Sequence, residues 1–208
     1  ELDKVVDQLF HVKKHYDKVK FYNTKLDTKF IKDIAPTSSL TNDDIDTPNV
    51  KDVMGEAQPK SYVPFRNLMF LSMICSHAEA VGADEVWYGA AQADSLAGYW
   101  DGSQEFVEQI NNVTALNREN RITVKAPLIK MSKKEIIEEG VKLNADFGLT
   151  YTCYSGEYPC DAESASSALR LRGFVEAGLK DPLVYKQQEK LEEVYKANNC
   201  KDISNRSD

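Results

Sequence analysis

The chain has 208 residues, 42% of them apolar and 28% charged, and 26 Lys and Arg against 33 Asp and Glu leave a formal charge of −7. That composition fits one globular domain with room for a small appendage, and a chain of this length buries roughly 70% of its unfolded surface without needing disulfides. No run of about 18 apolar residues is present, which excludes a membrane-spanning helix, and the acidic balance argues against a general nucleic-acid binder.

Residues 1–17 place Leu2, Val5, Val6, Leu9, Phe10 and Tyr16 near a 3.6-residue period, which predicts an amphipathic helix. His11 and His15 share one face of it. With no third ligand evident they read as solvated histidines rather than a metal pair. Residues 19–26 alternate and are rich in β-formers, so a strand is expected there. Residues 35–61 are dense in Pro, Ser, Thr, Asn and Asp, which reads as a lid or mobile segment, with room for a short helix over 50–55.

Residues 66–83 are apolar on nearly all sides and predict a buried helix closed by Gly82, with Cys75 and His77 in its packed interior. Residues 85–91 read as a buried strand, 103–116 as an amphipathic helix and 121–128 as a strand. Ser132 and Glu135 form a capping box that opens a helix through Leu143. Helices over 161–177, ended by Gly178, and over 186–199 follow, with a frayed tail to residue 208. This alternation is that of a parallel sheet flanked by helices, an α/β fold that binds ligands at the carboxyl ends of its strands.

Three segments carry residue types suited to chemistry. In the first, Ser61-Tyr62-Val63-Pro64-Phe65-Arg66-Asn67, an arginine and an asparagine stand at a helix N-terminus. Arg66 there suits a phosphate or carboxylate, or it pairs with a nearby acid while Asn67 caps the helix. The second runs from Gly89 to Asp101 and holds Asp94, Asp101, two glycines and two aromatics. Its carboxylates suit the donor edge of a purine-like base or Mg²⁺, or they cap a polar turn. In the third, six residues separate Cys153 from Cys160, which is two ligands short of a closed zinc site. Cys75, inside a helix, and Cys200, near a terminus, do not complete it. No Gly-rich phosphate loop of the GxxxxGK[ST] or GxGxxG kind is present. The four cysteines of a chain with no evident leader peptide read as reduced thiols in the cytoplasm.

Together these segments resemble the 7-cyano-7-deazaguanine synthase family of the PP-loop ATP-pyrophosphatase group. The resemblance rests on Tyr62-Val63-Pro64-Phe65-Arg66-Asn67, and on Asp94-Ser95-Leu96-Ala97-Gly98-Tyr99-Trp100-Asp101 with Glu105-Phe106. It continues in Ala126-Pro127-Leu128 with Ser132-Lys133 and Glu135-Ile136, Cys153-Tyr154-Ser155-Gly156, and Arg170-Leu171-Arg172-Gly173-Phe174. The resemblance implies an adenine nucleotide alpha hydrolase-like fold. Residues 1–150 would be a partial PP-loop nucleotide-binding domain, and 151–208 a cysteine-loop and helical extension. It also implies conversion of 7-carboxy-7-deazaguanine and ammonia to the nitrile, with ATP and Mg²⁺, through an adenylated carboxylate. Arg66, Asp94 and Asp101 are the implied catalytic residues. Tyr62, Pro64, Asn67, Gln92, Ser95, Gly98, Tyr99 and Glu105 are the implied substrate contacts, and Arg66 and Lys133 the implied contacts to ATP. A homodimer is implied as well, with no nucleic acid or membrane among its partners.

Two departures from the family pattern stand out. The family's four zinc cysteines are matched only by Cys153 and Cys160; the other two positions fall at Glu163 or Ser164 and at Ser166 or Ser167, so zinc is not expected. The family's Ser-Gly-Gly-x-Asp-Ser phosphate loop would precede the point that matches Glu1. The expected protein is therefore an N-terminally incomplete enzyme, weakly active or inactive alone, whose N-terminal partner polypeptide supplies that loop. A diverged paralogue acting on another carboxylate or conjugating a deazaguanine, and a non-catalytic ligand- or partner-binding remnant, are the alternatives.

Overall fold

The computed structural model describes residues 2–20, 25–46, 58–153, 156, 158–162 and 164–203. They fall into two compact units, Ile31–Lys133 and Glu1–Phe30 with Lys134–Asp208. This grouping does not follow a boundary at 150/151, because the first helix goes with the C-terminal residues.

In the unit of Ile31–Lys133, helix α2 (Phe30–Ile34, all but its first residue) is followed by the long segment and then by α3 (Arg66–Val81), β1 (Glu85–Trp87) and α4 (Gln92–Leu96). A 3-10 turn (Trp100–Gly102), α5 (Gln104–Thr114) and β2 (Thr123–Lys125) complete it. The two strands pair in parallel, with Glu85 opposite Thr123, Val86 opposite Val124 and Trp87 opposite Lys125. Their core unites Leu71 and Ala78 of α3, Val86, Phe106, Val107 and Ile110 of α5, Ile122 and Val124. The helix of 103–116 forms as its period predicts, and Ser103 caps it, accepting the Phe106 N–H at 3.1 Å.

Asn111 of α5 stands where a third strand would pair with β2. Its Oδ1 accepts the Val124 N–H at 2.8 Å, and its Nδ2 donates to the Val124 carbonyl at 2.9 Å. One side chain thus satisfies both backbone groups that an edge strand leaves open, and it closes that edge to further pairing. Among the described residues no strand pairs with the other edge, that of β1. Asn111→Ala leaves both Val124 groups without a partner in a buried place. It is expected to lower the stability of this unit by about 1–3 kcal/mol, readable in urea unfolding followed by circular dichroism.

Several sequence expectations need correction in this unit. Helix α3 is not buried all round: Leu71 and Ala78 are fully covered, while Ile74 and Val81 face outward. His77 is exposed rather than packed in the interior, and Cys75 lies at the margin of the core. The strands are shorter than the runs 85–91 and 121–128, and each buries only its central residue. A two-stranded layer covers one side of α3 and Ile31, Ala35 and Val63 pack against Met69 and Phe70, which leaves Ile74 and Val81 exposed. The described parts of the 35–61 segment are not open loop. Ile31, Ala35 and Val63 are buried together, and Ser39 N–H donates to the Lys60 carbonyl at 3.0 Å.

The second unit holds α1 (Leu2–His15), α6 (Lys133–Lys142, all but its first residue), a 3-10 turn (Phe147–Leu149), α7 (Ala165–Glu176) and α8 (Gln188–Ala197). Helix α1 forms where predicted, and Lys4 Nζ donates to the Gly148 carbonyl at 3.1 Å. His11 and His15 lie against each other, ring centroids 4.5 Å apart. The strand expected over 19–26 is not formed at its described residues. The chain turns instead, Val19 N–H donating to the Tyr16 carbonyl at 3.0 Å. Residues 21–24 lie outside the described residues, as do 47–57 and with them the helix expected over 50–55. Gly140 is required for packing, because a Cβ there would stand 2.5 Å from Cζ of Phe147. The C-terminal segment is anchored through residue 201, Lys201 N–H donating to the Gly178 carbonyl and Lys180 N–H to the Lys201 carbonyl, both at 2.8 Å, and 204–208 of the tail expected to fray lie outside the described residues. Tyr195 of α8 is 1% exposed, so that helix is tied down by one buried aromatic.

Candidate active site

The first two predicted segments meet in the unit of Ile31–Lys133. Tyr62 is the hinge between them. Its hydroxyl accepts from Trp100 Nε1 at 2.9 Å and from the Phe65 N–H at 3.2 Å. Ser61 Oγ and the Tyr99 hydroxyl are 2.6 Å apart. The Phe65 and Trp100 rings meet edge to face at 5.4 Å, as do those of Trp100 and Phe106. Phe65, immediately before Arg66, has φ 54°, a left-handed conformation that costs a non-glycine residue about 1–3 kcal/mol. The surrounding bonds to Tyr62 and Trp100 hold it there and aim the start of α3 at the second segment.

The two aspartates of that segment are in different states. Asp94 is spent as a cap, its Oδ2 accepting the Ala91 N–H at 2.7 Å at the start of α4. Asp101 is 2% exposed, and its Oδ1 has no partner among the described residues. Its backbone carbonyl is pinned by the Tyr88 hydroxyl at 2.7 Å and by Asn67 Nδ2 at 3.5 Å. Burial pushes the Asp101 carboxyl above the usual carboxylate range, against the opposing pull of Asn67 and Arg66. Burial, with Asp101 and Asp94 nearby, likewise pushes the Tyr88 phenol up. Gly102 permits the close approach, since a Cβ there would stand 2.8 Å from Cβ of Asp94.

Of the predicted residues, Tyr62, Arg66, Asn67, Tyr99 and Asp101 are thus brought into one neighbourhood, with Asp94 below it as a structural cap. Pro64 is half-buried within the first segment. Gly98 takes φ 84° just after α4, the turn that returns the chain toward Asp101. Gln92, Ser95 and Glu105 are exposed and take no part in these bonds. Lys133 is the first residue of α6. Ser61, Tyr88 and Trp100 also belong to the arrangement, Ser61 and Trp100 lying in the two segments without an expected contact of their own and Tyr88 lying outside both. The signal that pointed to them is their position, immediately before the Tyr-Val-Pro motif, at the end of a strand, and beside Asp101.

In the other unit, the cysteine loop is held by a buried ion pair. Arg170 donates from Nε and Nη2 to Asp181 at 2.6 and 2.7 Å, from Nη1 to Thr150 Oγ1 at 2.6 Å, and from Nη2 to the Phe147 carbonyl at 3.1 Å. Asp181 also accepts from the Tyr185 hydroxyl at 2.8 Å and the Leu183 N–H at 3.0 Å. Cys153 and Cys160 are buried beside Leu171, Leu183 and Tyr185, with Cys200 at the edge of the same cluster. Cys160 N–H donates to the Val184 carbonyl at 3.0 Å. Burial pushes the Cys160 thiol up to about 12. Ser167 Oγ lies 3.5 Å from the Cys160 sulfur and accepts from Ser164 Oγ at 2.9 Å, while Ser166 Oγ donates to the Thr152 carbonyl. Among the described residues no three His, Cys, Asp or Glu side chains are set to hold a metal. A cavity of about 410 Å³ between α1 and the Leu149, Thr150 and Tyr151 segment is lined by none of the predicted site residues.

Comparison with known proteins points the same way as the motifs. A family model described as "Queuosine biosynthesis protein QueC" matches residues 5–178. The 7-cyano-7-deazaguanine synthase of Chlorobium phaeobacteroides is 44% identical over 139 residues, 66% of this chain and 61% of the relative. That of Oceanobacillus iheyensis is 39% identical over 159 residues, 76% of this chain and 70% of the relative. That of Chlorobium chlorochromatii is 43% identical over 151 residues, 71% of this chain and 65% of the relative. The chain therefore spans about two-thirds of the length of these curated relatives.

Proposed function

The chain belongs to the QueC family of queuosine biosynthesis proteins, and from that premise we propose that it serves in making 7-cyano-7-deazaguanine. The reaction is the conversion of 7-carboxy-7-deazaguanine and ammonia to the nitrile, with ATP activating the carboxylate. The observation that carries this reading is the buried Asp101 carboxyl, one oxygen of which has no partner among the described residues, in the neighbourhood of Arg66 and in a segment whose Tyr99 and Trp100 are tied to Ser61 and Tyr62. A carboxylate so placed accepts from the N–H donors of a guanine-like edge, and the aromatic frame suits a flat base. Arg66 suits the substrate carboxylate or the phosphates of its activated form.

The phosphate contacts and Mg²⁺ come from elsewhere in this proposal. The sequence holds no Ser-Gly-Gly-x-Asp-Ser segment, so an upstream segment or a separate polypeptide supplies it, and Lys133 assists as a cation. The open edge of β1, opposite the edge closed by Asn111, is where such a segment adds its strands. Outward-facing Ile74, Val81 and Trp87 favour the same view. A homodimer in the cytoplasm completes the proposal; no helix among the described residues is long and apolar enough to cross a membrane. A diverged relative acting on another carboxylate is the second reading, motivated by the serines of the cysteine loop.

The test is ATP-dependent turnover of 7-carboxy-7-deazaguanine with ammonia, read by mass spectrometry of the base. The chain alone is expected to give none, and addition of a polypeptide carrying the phosphate loop is expected to give the nitrile. Turnover by the chain alone would overturn the assignment of the phosphates, and none in either arm would overturn the reaction.

A further inference from the structure

The family implies a zinc ion held by four cysteines, and the residues present do not fit it. A structural zinc site needs four thiolate, imidazole or carboxylate ligands in tetrahedral array. Here Cys153 bonds the Asp161 carboxylate, Cys160 meets the neutral Ser167 hydroxyl, and that hydroxyl meets the one of Ser164; hydroxyls are weak zinc ligands at neutral pH.

We propose that the four-ligand site has been exchanged for a metal-free hydrogen-bonded knot, in which Ser164 and Ser167 stand at the two lost cysteine positions. The inference rests on family membership and not on the proposed reaction. Ser164 is the N-cap of α7 and accepts the Ser167 N–H at 3.4 Å, so its hydroxyl stabilises the helix directly. The same hydroxyl donates to Ser167 Oγ at 2.9 Å. Ser167 is fully buried, and its Oγ lies 3.5 Å from the Cys160 sulfur. Cys160 Sγ donates to the Asp161 carbonyl and Cys153 Sγ to Asp161 Oδ2, each at 3.2 Å. Asp161 Oδ1 accepts the Ser164 N–H at 3.2 Å, which closes the ring of bonds. Each of these polar groups is satisfied by another protein group, so burial needs no cation to balance it.

The three-residue step between Ser164 and Ser167 on the first turn of α7 is the spacing of a Cys-x-x-Cys ligand pair. The scaffold therefore keeps the spacing of one ligand pair while its donors have changed. Ser164→Cys with Ser167→Cys restores a four-sulfur set.

The experiment measures zinc per chain by mass spectrometry in the wild-type protein and the S164C/S167C variant, both expressed with added zinc. Melting midpoints with and without chelator accompany it. The wild type is expected to carry no stoichiometric zinc and to melt at the same temperature with chelator. The variant is expected to carry about one zinc, to melt lower once chelated, and to show the visible bands of tetrahedral cobalt thiolate after exchange. Stoichiometric zinc in the wild type, or a folded variant that takes none, would overturn the proposal. If the variant does not fold, the wild-type arm decides alone, since zinc there or a chelator-sensitive midpoint is equally fatal.

Discussion

Asp101→Asn is expected to weaken binding of 7-carboxy-7-deazaguanine roughly 100-fold or more while leaving the protein folded. Oδ1 of the buried carboxyl has no partner among the described residues, and a guanine-like edge offers donors for it. An amide in its place turns one acceptor into a donor that opposes those N–H groups. Calorimetric titration of wild type and variant reads the loss, and equal affinities would move the pocket elsewhere. The same substitution has an opposite effect on stability. Burial raises the Asp101 carboxyl above its ordinary range, so the folded state holds that proton more tightly than the unfolded chain. Wild-type stability therefore falls as pH rises from about 4 through the raised value, and it stays lowered above it. Asparagine does not titrate. The variant is expected to gain melting temperature relative to wild type across that window and to lose the advantage in acid. Parallel curves at all pH would show the carboxyl unperturbed. Asp94→Ala is the contrast: it removes the cap on the Ala91 N–H, costing about 1 kcal/mol, and changes affinity far less.

Arg170→Ala is expected to cost about 3–5 kcal/mol in the unit that holds the cysteine loop. The guanidinium is almost fully buried, and its removal leaves the Asp181 carboxylate with no opposing charge, along with Thr150 Oγ1 and the Phe147 carbonyl. Tyr185 and the Leu183 N–H remain on Asp181, but two neutral donors do not replace a bidentate cation. Denaturant unfolding measures the loss. A drop below 1 kcal/mol would mean that the pair is solvated and not a clasp. The damage should also travel: residues 150–153 lead from the clasp into the cysteine loop, so Cys153 and Cys160 should react with a thiol reagent under native conditions in the variant and resist it in the wild type. Replacing Arg170 and Asp181 together by apolar residues should cost much less than either single change.

What was readable in advance follows from the range of the forces involved. Helices α1, α5 and α7 are periodic over three turns, and their Ser103 cap and Gly178 terminator are local, so they stand within a few residues of where they were placed. The strand expected over 19–26 had the right alternation, but a strand needs a partner and alternation names none. The burial of 66–83 was overestimated for a related reason, since an apolar helix reads as enclosed whether or not its neighbours are present. In the candidate site, the motif spacing collected the right loops. It did not separate Asp94 from Asp101, which are the same residue type seven positions apart in one segment.

The sequence by itself determined the family, the loops that carry its motifs and the loss of two cysteines from the zinc pattern, because these are matters of residue identity in order. Only the tertiary structure decided which aspartate is consumed by the backbone and which is left buried beside Arg66. It alone put Ser167, rather than Ser166, against the Cys160 sulfur, and set Asn111 in place of a strand. Hydrogen-bond partners such as Tyr88 and Asp101, or Arg170 and Thr150, lie 13 and 20 residues apart. Packing chooses between them, and no local period records that choice.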